Sequence, residues 1–207
     1  GSYQTAWTML HRLRRAMVCQ GREKLKGVVE VDEAFMSLTD RLNPSSGARR
    51  RGGVTRVLIA IAVEKLQPKG FGRIRMQHIA RRDAAELVPF VQDAVEPGAQ
   101  LHTDGSAAYL SLRQLGYDLQ QTVLLGSDVP AHEPMPGVHR VAALVKRWIL
   151  GTHHGAIQPD QLDSYLEEFV FRFNRRTSRS RGLLFYRLLQ QALVTHPVTY
   201  NDVAGKI

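Results

Sequence analysis

The sequence predicts an α/β fold built on a mixed sheet, and three observations carry that expectation. Residues 28–36, 54–64 and 71–80 read as three consecutive strands, two of them apolar runs and the third alternating. Two shorter strand signals, 100–103 and 119–125, are set apart by segments of helical character. From about residue 138 to 194 the signals are those of successive helices. Three neighbouring strands followed by strand–helix alternation call for both hairpins and crossovers, which is the condition for a mixed sheet.

Each element has its own signal. Ala6 to Met17 sets apolar residues at helical spacing with Arg12, Arg14 and Arg15 among them, a basic amphipathic helix, and Gly21 and Gly27 bracket a polar linker. Val28 to Met36 has the β-branched density of a strand, and Asn43 to Gly53, turn-rich and carrying Arg49, Arg50 and Arg51, is expected to be a flexible basic loop. Val54 to Glu64 is nearly all apolar, as a strand covered on both faces should be, and Pro68 and Gly70 turn the chain into the next. Asp83 is placed to cap a helix running to about Val95, which Pro97-Gly98 stops. Gln100 to Thr103 is a short strand ending at Asp104-Gly105, Ser106 to Leu115 a helix, and Leu119 to Leu125 the fifth strand. Pro130 to Pro136 leads into a helix over about Val138 to Leu150, Pro159 opens another to about Arg175, and Leu183 to Val194 is the last.

Composition narrows the function classes. In 207 residues, 43% hydrophobic and 23% charged, 28 Lys and Arg face 19 Asp and Glu, a net charge of +9 that favours a polyanionic partner, nucleic acid first. The single cysteine, Cys19, excludes an internal disulfide, and no window reaches the ~18 to 20 unbroken apolar residues of a membrane span, so a soluble, reducing compartment is expected. The start at Gly1-Ser2 has no Met and no secretory pattern, and reads as a fragment or as a piece lacking an N-terminal domain.

Two aspartates stand where chemistry could use them. Asp32 interrupts an apolar strand run, where an unpaired carboxylate costs several kcal/mol unless it is solvated or holds a cation. Asp104 ends another strand, and two strands each delivering a carboxylate suit a hard divalent cation. Each alone fits a turn or cap better than a ligand role. In the following helix His139 and Lys146 stand seven residues apart, two helical turns, so a ligand and a phosphate-directed cation share one face while Val141, Leu144, Val145 and Trp148 pack. Such pairs are also common on ordinary amphipathic helices.

Val31-Asp32-Glu33, His102-Thr103-Asp104-Gly105 with Tyr109, Val138-His139-Arg140 through Lys146-Arg147-Trp148, Gly151-Thr152-His153-His154-Gly155, and Tyr165 through Arg176 resemble the ISXO-type transposases of bacterial insertion sequences, over roughly Val28 to Val194. The resemblance implies an RNase H-like, retroviral-integrase-like fold and a DDE-type site: Asp32, Asp104 and His139 as metal ligands and catalytic residues, with Lys146 as a further catalytic residue. The separation of 139 − 104 = 35 residues agrees with such triads, and His139 with Lys146 matches the family's histidine variant. It implies two Mg²⁺ or Mn²⁺ ions acting on a phosphodiester, with Lys146 binding phosphate as a point charge and His139 the softer ligand, better suited to Mn²⁺. It also implies insertion-sequence ends and target DNA as substrates, a homo-oligomer assembled on DNA, and a cytoplasmic, nucleoid-associated location. The corresponding layout is a basic helix and linker over 1–27, remnant of a missing N-terminal domain, a catalytic domain over 28–195 and a tail over 196–207.

Two departures stand out. Ala34 to Asp40 replaces the family's Thr-aromatic stretch ending in paired glycines, and no Cys/His set provides the zinc-ribbon-like region of full-length members. They keep open a second reading, an inactive or domesticated DNA-binding derivative, and a third, a cellular RNase H-like nuclease; metal-dependent cleavage separates the second and strand transfer the third. Among other features, His153 and His154 lack two further zinc ligands nearby, Glu168 suits a structural anchor, and Glu133 is an alternative third acid, 29 residues after Asp104. Phe169, Phe171, Phe173 and Trp148 have the apolar settings of core residues. Phosphate contacts are expected from Arg172, Arg175, Arg176, Arg179 and Arg181, from Arg49 to Arg51, from Lys146 and Arg147, and from Arg12, Arg14 and Arg15.

Overall fold

Two strands of 13 residues, β1 (Val28–Asp40) and β2 (Gly53–Lys65), pair antiparallel from Val28 opposite Lys65 to Asp40 opposite Gly53. They form the middle of the fold in this computed structural model, which describes residues 1–18, 21–40, 53–122 and 135–204. β3 (Phe71–Ile79) adds antiparallel to β2, while β4 (Gln100–Asp104) runs parallel to β1, and β5 (Asp118–Thr122) parallel to β4. The order is β3-β2-β1-β4-β5, a mixed five-stranded sheet flanked by helices with the RNase H-like topology expected. β1 extends past Met36 to Asp40, so the segment that departs from the family pattern continues the strand. The basic loop with Arg49, Arg50 and Arg51, the alternative acid Glu133, Cys19 and the expected end of β5 at 123–125 lie outside the described residues.

The chain forms two compact units, Glu23–Pro159 and a second made of Gly1–Arg22 with Asp160–Ile207. The first contains the sheet. α2 (Ala84–Ala94) is capped by Asp83, whose carboxylate accepts from the Glu86 amide, and it packs against β2, β3 and the 3₁₀ helix Ala107–Arg113. Val29 and Val31 of β1, Leu58, Ala60 and Ala62 of β2, and Leu101 and Leu119 build the core under these helices. The α-helix expected over 106–115 is this seven-residue 3₁₀ helix. Tyr109 and Leu112, three residues apart and both fully buried, eclipse one another on its inner side at three residues per turn.

The alternate residues of β2, Ile59, Ile61 and Val63, are buried too, and face α3 (Pro136–His153), which packs on β1 and β2. β2 is therefore covered on both faces, as its near-continuous apolar run anticipates.

In the second unit α1 (Tyr3–Ala16) packs against α4 (Leu162–Asn174), α5 (Arg181–Val194) and α6 (Tyr200–Ala204). Its apolar stripe is supplemented by buried polar groups. Arg14 donates from Nε to Glu168 Oε2 at 2.7 Å and lies 4.0 Å over the Tyr165 ring, and His11 sits between Trp7 and Tyr165. Arg14 is thus an internal ion-pair partner rather than a phosphate contact, because a buried guanidinium beside a carboxylate has no face left for DNA. Glu168, which also accepts from Arg172, is the anchor its setting suggested. None of the described helices is long and apolar enough to cross a membrane.

Candidate active site on the sheet

Strand alternation decides which carboxylates meet. In β1, Val29 and Val31 point to the α2 side, so Glu30 and Asp32 point to the α3 side and Glu33 back toward α2. The parallel ladder pairs Val28 with Gln100, Val29 with Leu101 and Glu30 with His102, an offset of 72 that, carried two residues further, sets Asp32 level with Asp104. Leu101 belongs to the α2-side core, which puts His102 and Asp104 on the same face as Asp32. The two carboxylates are near enough for charge to couple them. Burial raises the Asp32 carboxyl from 3.8 to about 6; the amide of Glu33, donating to Oδ1 at 2.8 Å, draws it down, while the charges of Glu33 and Asp104 add to the rise.

α3 is fastened along β1 at both ends. Its first turn lacks a side-chain cap of its own, and Glu30 supplies one from the strand: Oε2 accepts from the amides of Gly137 (2.7 Å) and Val138 (3.1 Å). Gly137 is required there, since a Cβ would lie 2.7 Å from Glu30 Oε2 and 2.9 Å from the Phe71 ring. At the far end the Thr39 amide donates to the Gly155 carbonyl at 2.7 Å, and Gly155 takes a left-handed φ of 69°. Nine strand steps from Glu30 to Thr39 span about 30 Å, and 18 helical steps from Gly137 to Gly155 about 27 Å, so the helix lies beside the strand for its whole length. His139 lies two residues beyond the capped Gly137, about half a turn on, and comes alongside Asp32, whose carboxyl its charge lowers. Lys146, two turns on, shares its partly exposed face, while Val138, Val141, Ala142, Val145 and Ile149 are buried.

Around Asp104 the turn is built by its own side chain. Oδ1 accepts from the Ser106 amide at 3.1 Å, and Oδ2 from Arg82 at 3.4 Å. Arg82 also donates from Nε to Glu33 Oε2 at 2.6 Å, and the buried Tyr109 hydroxyl donates to the other Glu33 oxygen. Burial and that neighbouring carboxylate push the Tyr109 phenol far up, so it is a permanent donor. Glu30, Glu33 and Arg82 received no role from the sequence, and Tyr109 none beyond its place in a motif. The available signal was three carboxylates in the apolar run 28–33, since alternation alone sends Glu30 with Asp32 and Glu33 the other way.

The donor chemistry fits a divalent cation only in part. Asp32 and Asp104 offer hard oxygens from adjacent strands, which suits Mg²⁺ or Mn²⁺ held by one or two carboxylates with solvent and phosphate completing the sphere. Among the described residues no three His, Cys, Asp or Glu side chains converge closely enough to hold a metal ion, His139 included. His153 packs edge-on against Trp148 at 4.9 Å between centroids, and His154 takes a left-handed φ of 52° to end α3, which gives both helix-terminal roles.

In the other unit, Arg175 and Arg176 lie 3.8 and 4.0 Å over Phe171 and Phe173, and each donates to the carbonyl of the same phenylalanine at the end of α4. Arg172 and Arg179 are exposed, Phe169 and Phe171 buried, and Phe173 and Trp148 partly so.

Among solved structures the chain is similar to the catalytic core domain of BIV integrase, at 13% identity over 80% of this chain and 95% of that one, with a TM-score of 0.45. It is also similar to a pre-cleavage Mos1 transpososome, at 10% identity over 100% of this chain and 64% of that one (TM-score 0.40), and to the Mos1 strand transfer complex, at 10% identity over 100% and 63% (TM-score 0.38). The chain therefore spans just under two thirds of the Mos1 chains. No curated protein matches it. The model of the ISXO2-like transposase domain matches residues 24–174, a span that takes in both strand carboxylates, all of α3 and all of α4. By that match, over well more than half of its length, the chain belongs to the ISXO2-like transposase family and carries a DDE-type transposase catalytic domain with an RNase H-like sheet.

Proposed function

We propose that this domain cuts and joins DNA at the ends of an insertion sequence in a divalent-metal-dependent reaction, with Asp32 and Asp104 as the principal metal ligands. The observation that carries the reading is that these two carboxylates interact from one face of adjacent parallel strands, under a helix that carries His139 and Lys146. Bound there, Mg²⁺ or Mn²⁺ would supply Lewis-acid polarisation of a phosphodiester and a more acidic nucleophile. The chain's own groups do the rest. Asp32 and Asp104 bring negative charge that attracts cations and repels bare phosphate, Lys146 offers a point charge to a phosphate oxygen, and His139 stands beside Asp32 as a softer donor. Arg147, Arg172, Arg175, Arg176, Arg179 and Arg181, joined by Arg49 to Arg51, supply sequence-independent contacts to the backbone. A homo-oligomer on DNA and a nucleoid-associated location in a bacterial cytoplasm belong to the same proposal.

The experiment is cleavage and joining with Mn²⁺ on duplexes bearing the element's ends, comparing wild type with Asp32→Asn and Asp104→Asn. Cleavage and strand transfer by the wild type alone support the proposal. DNA binding without cleavage would establish the inactive, DNA-binding derivative, and hydrolysis without joining would establish a nuclease.

A further inference from the structure

We propose that Arg82 is a phosphate-binding residue of this site, holding the DNA backbone beside Asp104; the inference deepens the cleavage reading and rests on it. Arg82 lies in the short link between β3 and α2, where the Asp83 cap fixes the backbone one residue on. Its side chain reaches β1, where Glu33 is 1% exposed at the side chain and already accepts from the Tyr109 hydroxyl. The bond from Arg82 Nε to the remaining Glu33 oxygen, 2.6 Å, is short and charge-assisted.

A guanidinium is a rigid planar fork, so fixing Nε also fixes where its outer nitrogens point. Here Nη2 comes to 3.4 Å from Asp104 Oδ2, well beyond the 2.7–2.9 Å or so of a strong ionic hydrogen bond. The group is therefore tied firmly to Glu33 and loosely to Asp104. Its side chain is 46% exposed, and Nη1 makes no hydrogen bond among the described residues. An ion pair serving only to neutralise Glu33 would need none of this reach. Asp32, Glu33 and Asp104 together repel an incoming phosphodiester, and a pre-oriented cation with outward donors at their edge offsets that repulsion where the phosphate must approach.

The test uses a fluorescent duplex of arbitrary sequence, titrated with salt in buffer free of divalent ions, with wild type, Arg82→Gln, Arg82→Lys and Arg81→Gln. Arg81 is the control because it is equally near in sequence but exposed and paired with Asp83. If Arg82 binds phosphate, Arg82→Gln flattens the slope of log K against log salt by about 0.9. Arg82→Lys restores the slope, and Arg81→Gln leaves it at the wild-type value. In Mn²⁺-dependent nicking of supercoiled plasmid, Arg82→Gln raises KM several-fold. A wild-type slope in Arg82→Gln, or equal flattening by Arg81→Gln, overturns the inference. Should Arg82→Gln fail to fold with Glu33 left unpaired, Glu33→Gln combined with Arg82→Gln removes the orphaned charge and permits the same titration. Asp104→Asn separates the two claims: nicking that survives it sinks the cleavage reading, whereas the salt slopes judge Arg82 by themselves.

Discussion

Replacing Asp32 with asparagine should make the protein more stable while removing its activity. A carboxyl whose pKa stands at about 6 rather than 3.8 ionises at neutral pH only against the burial and the acidic neighbours that oppose its charge in the folded chain. The gap corresponds to about 3 kcal/mol, to be discounted to about 1–3 kcal/mol because solvent reaches part of the side chain. The sign follows from linkage. With the folded pKa raised, the folded state binds this proton more tightly than the unfolded chain, so the contribution of Asp32 to stability is fully present below pH 3.8 and is lost as pH climbs through about 6. Asn keeps the shape and still accepts the Glu33 amide, but carries no charge at any pH. Urea unfolding should be followed by Trp148 fluorescence in a Trp7→Phe background, since the two tryptophans fall in different units. Asp32→Asn is expected to gain about 1–3 kcal/mol at pH 8 and to converge with the wild type near pH 4. Saturating Mn²⁺, at about 100 times its Kd, should stabilise the wild type by about 2.7 kcal/mol and the variant far less. A variant that is less stable at pH 8, or whose advantage does not change with pH, would refute the electrostatic account of this site.

Four further outcomes can be checked. His139→Ala should abolish cleavage while leaving folding and DNA affinity nearly intact, whereas Lys146→Ala should lower both affinity and rate, as separate binding and single-turnover assays would show. Gly137→Ala drives a methyl against Glu30 Oε2 and the Phe71 ring, and should cost about 1–3 kcal/mol in urea unfolding, with hydrogen exchange accelerated first in the opening turn of α3. Glu168→Ala strands the buried Arg14 guanidinium and should destabilise the helical unit by about 3–5 kcal/mol, read from Trp7 fluorescence. His11, whose pKa burial and Arg14 lower from 6.5 to about 4, favours its neutral form when folded, so the same unit should lose stability as pH falls from 6.5 toward 4, a trend absent in His11→Gln.

Much of this molecule can be read from local pattern. The apolar run over β2 requires cover on both faces, Asp83 announces the start of α2, Pro136 opens α3 and its glycine-flanked end closes it, and the five strands and their order along the chain follow from periodicity and turn residues. These are short-range matters, decided by side-chain spacing within a few residues, and they are why Asp32, Asp104 and the His139–Lys146 face stand out in the sequence. The charge of +9 likewise points to a polyanion with no structure at all.

What the sequence leaves open is decided by pairings between residues far apart. That β4 joins β1 in parallel with an offset of 72, and so brings Asp104 level with Asp32, depends on which sheet edge the chain returns to. Glu30 looks like a misplaced surface charge, yet it is 0% exposed and caps a helix 107 residues later, because the first amides of α3 need an acceptor and none is offered locally. Arg14 reads as one of three basic surface residues until Glu168, 154 residues away, draws it inside. Glu33 and Arg82 are joined in the same way. An ionisable side chain can be placed by pattern alone only while water is its partner; once buried, its position is set by the opposite charge or backbone dipole that the tertiary fold brings to it.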